Sequence, residues 1–557
     1  MHHYIKIKLF LAFIIILSHP LFAQIVYEPL HRDVYSFLSR LSQKGIVEFN
    51  DLIRPLSRKY IAEKLWTAKT YSYNELTSIE KDELEFFLKD YYHESGPRFS
   101  SQLVFDSLTF LNYDQAERWR VFSYTSNLFK LNISPILGLQ IGSRDKGKLT
   151  HTWNGIYLYG YFNDFLGFSF DFRDNTEKGN TIDKIKAFTP ITGVNARSNS
   201  NVIGYTNDKI EYSEVKTVIT ADWDWGDFAI GKDFIEWGYG EGGKLVLSQK
   251  APSFPFIRLD LNPVEWLRFN YIHAWLLSDV IDSTDFYLTK VGTNRFFYRE
   301  KFMAAHSVTV TPVKQLDISI GESIVYSDRL EISYLMPFMF FRLADHYLSR
   351  QYNAAGSNAQ FFASLSSKNH VKNTHLYSTL FIDEITLSGL FDRYKQRNQL
   401  GFSLGGSVTD LPVENLTLTA EYTKIYPFVY NHFISTTTYE SASYTLGHWI
   451  GNNADQIYGS LNYRFIRGFQ ATLWGQYVRK GEEGSAEQQI DIQPQPPFLF
   501  GLRTNYTYFG FWVKYELIHE LFVKGIFQYT KTSRQQTDLK FIDSNLNEFY
   551  LAAYYGL

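Results

Sequence analysis

The sequence predicts an all-β transmembrane barrel with a small N-terminal α-helical domain, and three observations predict it. Apolar and polar residues alternate with a period of two from about residue 98 to the C-terminus. Aromatics supply 18% of the 557 residues, as 40 Tyr, 47 Phe and 11 Trp. The chain also opens with what reads as an export signal. Hydrophobic residues reach 45%, yet mean hydropathy is only -0.23, so the apolar residues are diluted evenly by polar ones. That is the pattern of a wall whose residues face lipid and lumen in turn. A helical membrane protein would need runs of roughly 20 apolar residues, and none follows the N-terminus. The formal net charge of -3 gives no reason to expect a nucleic-acid partner. With no cysteine, disulfides, thiolate metal sites and a cysteine nucleophile are excluded.

Residues 1–23 read as a secretory signal peptide. Lys6 and Lys8 form its basic region, and Leu9 to Leu17 its short apolar core. Pro20 breaks that core, and Ala23 precedes a cut ahead of Gln24.

Residues 24–97 read as a helical domain on the periplasmic side. Val34, Phe37, Leu38 and Leu41 share one helical face, and Gly45 follows as a stop. Ser57 is spaced to cap a second helix, with Leu56 and Ile61 at staple positions. Thr77 and Glu80 form a capping box for a third, whose apolar face is Leu84, Phe87, Leu88 and Tyr91. Gly96-Pro97 ends the region. Three short helices make a marginal domain alone, so docking against something larger is expected. Arg54, Arg58 and Lys59 are the candidate face for periplasmic envelope machinery.

Residues 98–557 read as the barrel. Leu416, Leu418, Ala420 and Tyr422 alternate with Thr417, Thr419, Glu421 and Thr423. The stretches 166–173, 457–465 and 521–530 repeat the pattern, and many strands end in aromatics, as interfacial girdles do. Strands of about 10 residues plus their connections give on the order of 16–20 strands. The last strand, Phe549 to Leu557, keeps apolar residues at alternate positions to the chain end, as a closing strand would. The polar stretches 179–207 and 481–497 read as extracellular loops.

Four ordered stretches resemble the Wzi family of capsule-assembly outer-membrane proteins, in the form found in Bacteroidetes-type bacteria. They are Tyr35 to Ala62 in the helical domain, Gly231 to Phe254, Ile320 to Phe338, and Tyr444 to Gln456. The resemblance implies an eighteen-stranded outer-membrane barrel, an N-terminal helical bundle on the periplasmic side, and a lectin-like role holding capsular polysaccharide at the cell surface. It is weaker toward the enterobacterial form, which leaves open the identity of the glycan and whether capsule is the ligand.

The candidate glycan-binding residues fall in two of these stretches. Glu236, Trp237, Tyr239 and Glu241 flank a glycine-rich run, and His448, Trp449, Asn452, Asn453 and Asp455 cluster in a polar loop. Aromatic faces cover apolar sugar surface, while carboxylates and amides bond hydroxyls. Chemical motifs are weak. Gly238 to Lys244 matches GxxxxGK, but Leu245 replaces the magnesium-holding hydroxyl. Gly401 to Gly405 matches GxSxG but reads as a strand, not an elbow. His519-Glu520 lacks the second histidine of a zincin. Asp543, Asn545 and Asn547 lack the glycine and acid of a calcium loop. Asp222 and Asp224 share a strand face and read as lumen residues. The expected function is therefore a non-enzymatic surface-polysaccharide binder in the outer membrane, in contact with its lipid and without metal or cofactor. The alternatives are a porin or substrate-specific channel and, less favoured, an outer-membrane hydrolase.

Overall fold

A computed structural model describes residues 25–94, 106–163, 166–194, 202–352, 356–386, 392, 394 and 397–556. The export segment, Gly96-Pro97 and Leu557 lie outside the described residues.

The helices form where their patterns place them: α1 Val34–Gln43, α2 Arg58–Tyr71 and α3 Ser78–Asp90. Ser57 Oγ accepts from Tyr60 N, and the Thr77–Glu80 capping box is complete. Phe37, Leu38, Leu41, Ile61, Leu65 and Leu84 are fully buried in one small core.

Among the described residues, eighteen antiparallel strands close into a barrel. They are β1 Phe129–Arg144, β2 Gly147–Phe162, β3 Leu166–Lys178, β4 Lys209–Trp223, β5 Gly226–Asp233 and β6 Phe254–Val264. There follow β7 Leu267–Leu288, β8 Asn294–Val313, β9 Leu316–Ser327, β10 Asn358–Lys368, β11 Thr374–Glu384 and β12 Gln399–Thr409. The last six are β13 Leu416–Ile425, β14 Ala454–Ile466, β15 Phe469–Lys480, β16 Thr504–Ile518, β17 Leu521–Gln535 and β18 Phe541–Tyr555. β18 closes the barrel on β1, from Glu548↔Arg144 to Tyr555↔Leu137. The first residues of β1 pair instead with Trp119–Thr125 of a hairpin, at Phe122↔Ile133.

The period of two sorts residues by face. On β13, Leu418 points outward and is exposed, while Glu421 and Thr423 point inward and are buried. One end of the barrel carries short turns, such as Arg467-Gly468 and His519-Glu520, and the other carries the long connections among its links. No helix of the described residues is long and apolar enough to cross a membrane.

Candidate functional site

The lumen is filled from both ends. At the short-turn end the helical domain sits inside the mouth and meets the polar wall with charge. Lys368 Nζ donates to Asp51 Oδ1 at 2.8 Å and to Phe49 O at 2.6 Å. Arg464 donates to Glu83 at 2.6 Å. Arg40 joins Glu80 of α3 to Asp410 and Thr409 of the wall. Arg32 pairs with Glu520, and Asp90 takes both Arg118 and His519. Burial alone would raise the Asp51 carboxyl, but Lys368 and Arg54 outweigh it and hold it well below the usual range. Glu520 is held down to about 2: burial raises it, and Arg32, His519 and Arg120 prevail.

The predicted machinery-binding face is not an outward face. Arg58 is buried between the rings of Tyr91 and Tyr159, at 4.5 Å from each, and donates to Glu28 and Glu94 at 2.6 Å. Lys59 reaches Asp222 of the wall at 3.3 Å, and Arg54 pairs with Asp51. Of these cations only Lys59 turns to the wall, while Arg54 and Arg58 are spent on carboxylates of their own domain, which sequence periodicity does not distinguish from a solvated face.

At the long-loop end two connections fold inward and meet. Residues 234–253 descend until Glu236 and Trp237 pair with Arg54 and Ile53 of the helical domain. Gly238 N then donates to Leu52 O at 2.8 Å. The glycine-rich turn follows, and its backbone is left-handed at Gly240 (φ 134°) and Gly243 (φ 155°). A Cβ on Gly243 would stand 2.4 Å from His448 Nε2, so glycine is required twice over. The anion that this turn cradles is a wall carboxylate. Glu241 N and Gly242 N donate to Glu421 at 2.9 and 3.2 Å, and Tyr377 OH donates to it at 2.9 Å. Those amides are spent, which disposes of a phosphate loop.

Residues 426–453 lock the first connection down. Tyr430 OH and Tyr439 OH donate to Leu245 O at 2.7 Å and Val246 O at 2.9 Å. Trp449 Nε1 donates to Gly242 O at 2.7 Å.

This geometry places the sequence-predicted glycan residues mostly within the plug. Trp237 is fully buried, its ring 5.4 Å from that of Phe362, and Tyr239 is buried between His375 and Tyr377. His448 is fully buried, and that burial holds its imidazole down to about 3, so it is neutral. Asn453 donates to Glu482 O and Phe500 O, and Asn452 O accepts from Lys480 Nζ. Asp455 takes Arg479 at 2.9 and 2.5 Å. Glu236 accepts from Gln249 at 2.8 Å. Glu241 alone of the nine lines the open space beside the plug. Its carboxylate has no hydrogen bond or ion pair among the described residues.

That space is a cavity of about 590 Å³ between the plug and the wall made by β1–β4 and β14–β18. Such a volume falls in the range of about 300–1,000 Å³ usual for ligand sites. Trp474, Tyr508 and Trp512 form an aromatic side, with Tyr458 and Tyr550 beside them. The charged lining includes Glu177 and Lys186, paired at 2.6 Å, and Arg144 on Glu548 at 3.1 Å, where Tyr550 OH donates to Glu548 at 2.9 Å. The aromatic wall was missed by sequence reasoning. Its signal is an aromatic on a polar row: Trp474 shares the inward face of β15 with Gln470, Thr472 and Gln476.

The remaining motifs are structural. Ser403 is buried within β12 and accepts from Thr423 Oγ1 at 3.0 Å. Asp543, Asn545 and Asn547 lie along β18, where Asp543 pairs with Lys531 at 2.8 Å. No cluster of three metal-ligating side chains occurs among the described residues.

No protein-family profile matches the chain, and no curated protein sequence matches it. Solved structures do. Wzi of Escherichia coli, an outer-membrane protein involved in group 1 capsule assembly and described as a carbohydrate-binding β-barrel, is similar with a TM-score of 0.55. The two are 10% identical, over 96% of this chain and 100% of that one. OprD of Pseudomonas aeruginosa matches 77% of this chain and 95% of its own, at 11% identity and a TM-score of 0.40. OpdK of Pseudomonas aeruginosa, solved with vanillate, matches 77% and 98%, at 10% identity and 0.40. The Wzi likeness shows the fold, that of an outer-membrane barrel of the Gram-negative envelope.

Proposed function

We propose that this protein binds surface polysaccharide at the outer membrane and holds it at the cell, without catalysing a reaction on it. One observation carries the reading. The lumen is packed shut by a helical domain and two loops, yet it keeps an aromatic-walled cavity with the unpaired carboxylate of Glu241 in it. Aromatic faces flanked by hydrogen-bonding groups suit sugar rings. The cavity holds a terminus or branch of the glycan, and the long loops add weak contacts to a repeating polymer, which sum through multivalency. In this reading residues 24–97 are the periplasmic domain and residues 98–557 the barrel. The short turns face the periplasm, because barrels carry their long loops outside. Capsular polysaccharide is the glycan that the resemblance of the sequence favours.

A substrate-specific channel is the competing reading. It is favoured by the height of the cavity, which runs from Arg144 beside the long-loop rim to Lys524 near the short turns.

The test is the ratio of cell-bound to shed polysaccharide in deletion, wild-type and complemented strains, followed by glycan binding to the purified barrel. Release of polymer with unchanged synthesis, and loss of binding in Trp474→Ala, is the expected result. An unchanged ratio together with measurable conductance in planar bilayers would transfer the assignment to a channel.

A further inference from the structure

The outer face of most of the wall is apolar, as a lipid-facing surface must be. Leu380 on β11, Leu404 on β12 and Leu461 on β14 point outward and are exposed. Strands β7–β9 break that rule. Parity puts His273, His306 and Glu322 on their outer face, where ionisable groups are costly against hydrocarbon. The connection between β9 and β10 covers them. Instead of rising from the rim it turns back along the outside of the barrel, and Phe338 stacks on Phe269 at 4.5 Å, near the short-turn end of β7. A helix, α4 Phe341–Tyr352, then returns toward the rim.

This re-entrant segment is fitted to the wall by polar bonds and rings. Phe341 N donates to Glu322 Oε1 at 2.7 Å, and His306 Nε2 stands 3.2 Å from the same oxygen. Tyr271 OH donates to Tyr334 O at 2.8 Å. Tyr334 and Phe341 are buried against Tyr326 and His306. Its other side is turned away from the protein and is apolar at the apex. Phe338 is 72% exposed, and Ile332, Met336 and Phe340 are exposed beside it. Above the apex the outward face of α4 changes character. Arg342, His346 and Arg350 fall at i, i+4 and i+8, next to Leu343 and Tyr347. Arg350 has no hydrogen bond or ion pair among the described residues, and Arg342 has only Asp345 at 3.8 Å. An apolar apex below a cationic helix face is the arrangement of an interfacial anchor for anionic lipid.

We propose that residues 332–352 form a lipid-inserted clasp, with its phenylalanine apex in the hydrocarbon and Arg342 and Arg350 holding the phosphate of an anionic lipid headgroup. The occupant follows from continuity and charge. The clasp lies in the lipid-facing surface of the barrel, and of its outward cations Arg342 has only Asp345 at 3.8 Å and the charge of Glu384 near it, while Arg350 has no carboxylate partner among the described residues. The proposal needs only the membrane barrel and is independent of the polysaccharide reading.

The absence of cysteine makes the test direct. Full-length protein with a single substitution, Phe338→Cys, is spin-labelled and reconstituted in phosphatidylcholine vesicles with or without phosphatidylglycerol. Leu380→Cys on the bare wall and Leu539→Cys in the last exposed turn are the lipid and water references. The label at 338 should match the one at 380 in oxygen accessibility and be shielded from a water-soluble nickel chelate. A label at 338 that behaves like the one at 539 overturns the proposal. A second measurement counts phosphatidylglycerol against phosphatidylcholine retained on the purified barrel by native mass spectrometry. A preference of several-fold should vanish in the Arg342→Gln/Arg350→Gln double variant. Persistence of that preference in a folded double variant would remove the headgroup site.

Discussion

The two ends of the lumen are closed by opposite chemistries. At the short-turn end, amphipathic helices bury their apolar faces on one another and turn long charged side chains to the polar wall. Many of the contacts there are ion pairs, such as Lys368–Asp51 or Arg464–Glu83. At the long-loop end, connections with little regular structure fill the barrel with Trp237, Tyr239, Tyr430, Tyr439 and Trp449. They satisfy the wall with backbone amides, as at Glu421. The difference follows from what each segment brings. A helix has spent its amides internally and can offer only side chains, whereas a loop has free N–H and C=O groups that must be paired when buried. The helical closure should therefore respond to charge and pH, and the loop closure to lost volume.

The largest effect expected is from emptying the loop closure. Truncating a buried tryptophan costs about 3–5 kcal/mol, and Trp237 and Trp449 are both buried. The Trp237→Ala/Trp449→Ala variant should lose the plug while the wall persists. Planar-bilayer recordings should then show conductance that the wild type lacks. A silent double variant that still folds would mean that the helical domain seals the barrel alone.

Next in size is the removal of one charge from the helical closure. Lys368→Met leaves Asp51 buried beside Arg54 alone, and breaking a buried pair costs about 3–5 kcal/mol. Protease cleavage in residues 25–94 should rise sharply, while cleavage of the loops stays constant. Lys368→Met/Asp51→Asn should recover part of the loss, because it removes the uncompensated buried carboxylate but takes from Arg54 the carboxylate it pairs with. No recovery would show that Lys368 matters through packing.

How legible these regions were follows the same division. The helices were readable in their capped starts and buried faces, because the Thr77–Glu80 box and the Val34–Leu41 face are local signals. The wall was readable because alternation at 416–423 is local too, and the final strand closes on β1 as its pattern to the chain end suggests. The closures were not readable. Trp237, Tyr239 and Trp449 have the composition of a sugar site, and an aromatic loop looks alike whether it faces water or a lumen. What decides is the partner, and Glu421 lies some 180 residues from the turn it holds. The clasp was hidden differently: Ile320 to Phe338 was noticed for its resemblance, but its return along the outside of the barrel depends on His306 and Glu322 being paired across two strands.

Acid separates the closures more gently. The folded Glu520 carboxyl lies near 2, and those of Asp51 and Asp90 lie below their ordinary values. A depressed carboxylate stabilises the fold fully above its unfolded pKa of about 4 and ceases to do so as pH falls through the folded value. The helical closure should thus hold at pH 5 and above and loosen between about pH 4 and pH 2. Hydrogen exchange in α1–α3 should rise across that window, ahead of exchange in residues 234–253. Simultaneous loosening of both would make the two closures one cooperative unit.

The smallest effect tests whether burial, rather than charge as such, sets the strength of the helical closure. Lys69 and Glu85 also pair, between α2 and α3, but their side chains are 33% and 46% exposed. Water screens such a pair, and its worth is about 0–1 kcal/mol. Lys69→Ala should leave protease resistance and thermal unfolding within error of wild type, where Lys368→Met does not. The chemistry removed is the same in both: one lysine ammonium from one carboxylate. Only the medium differs, because Asp51 cannot recover its hydration in the lumen while Glu85 already has it. Equal losses in the two variants would mean that the helical domain is held by summed charge at its surface. A loss confined to Lys368→Met places the hold where the helices enter the barrel.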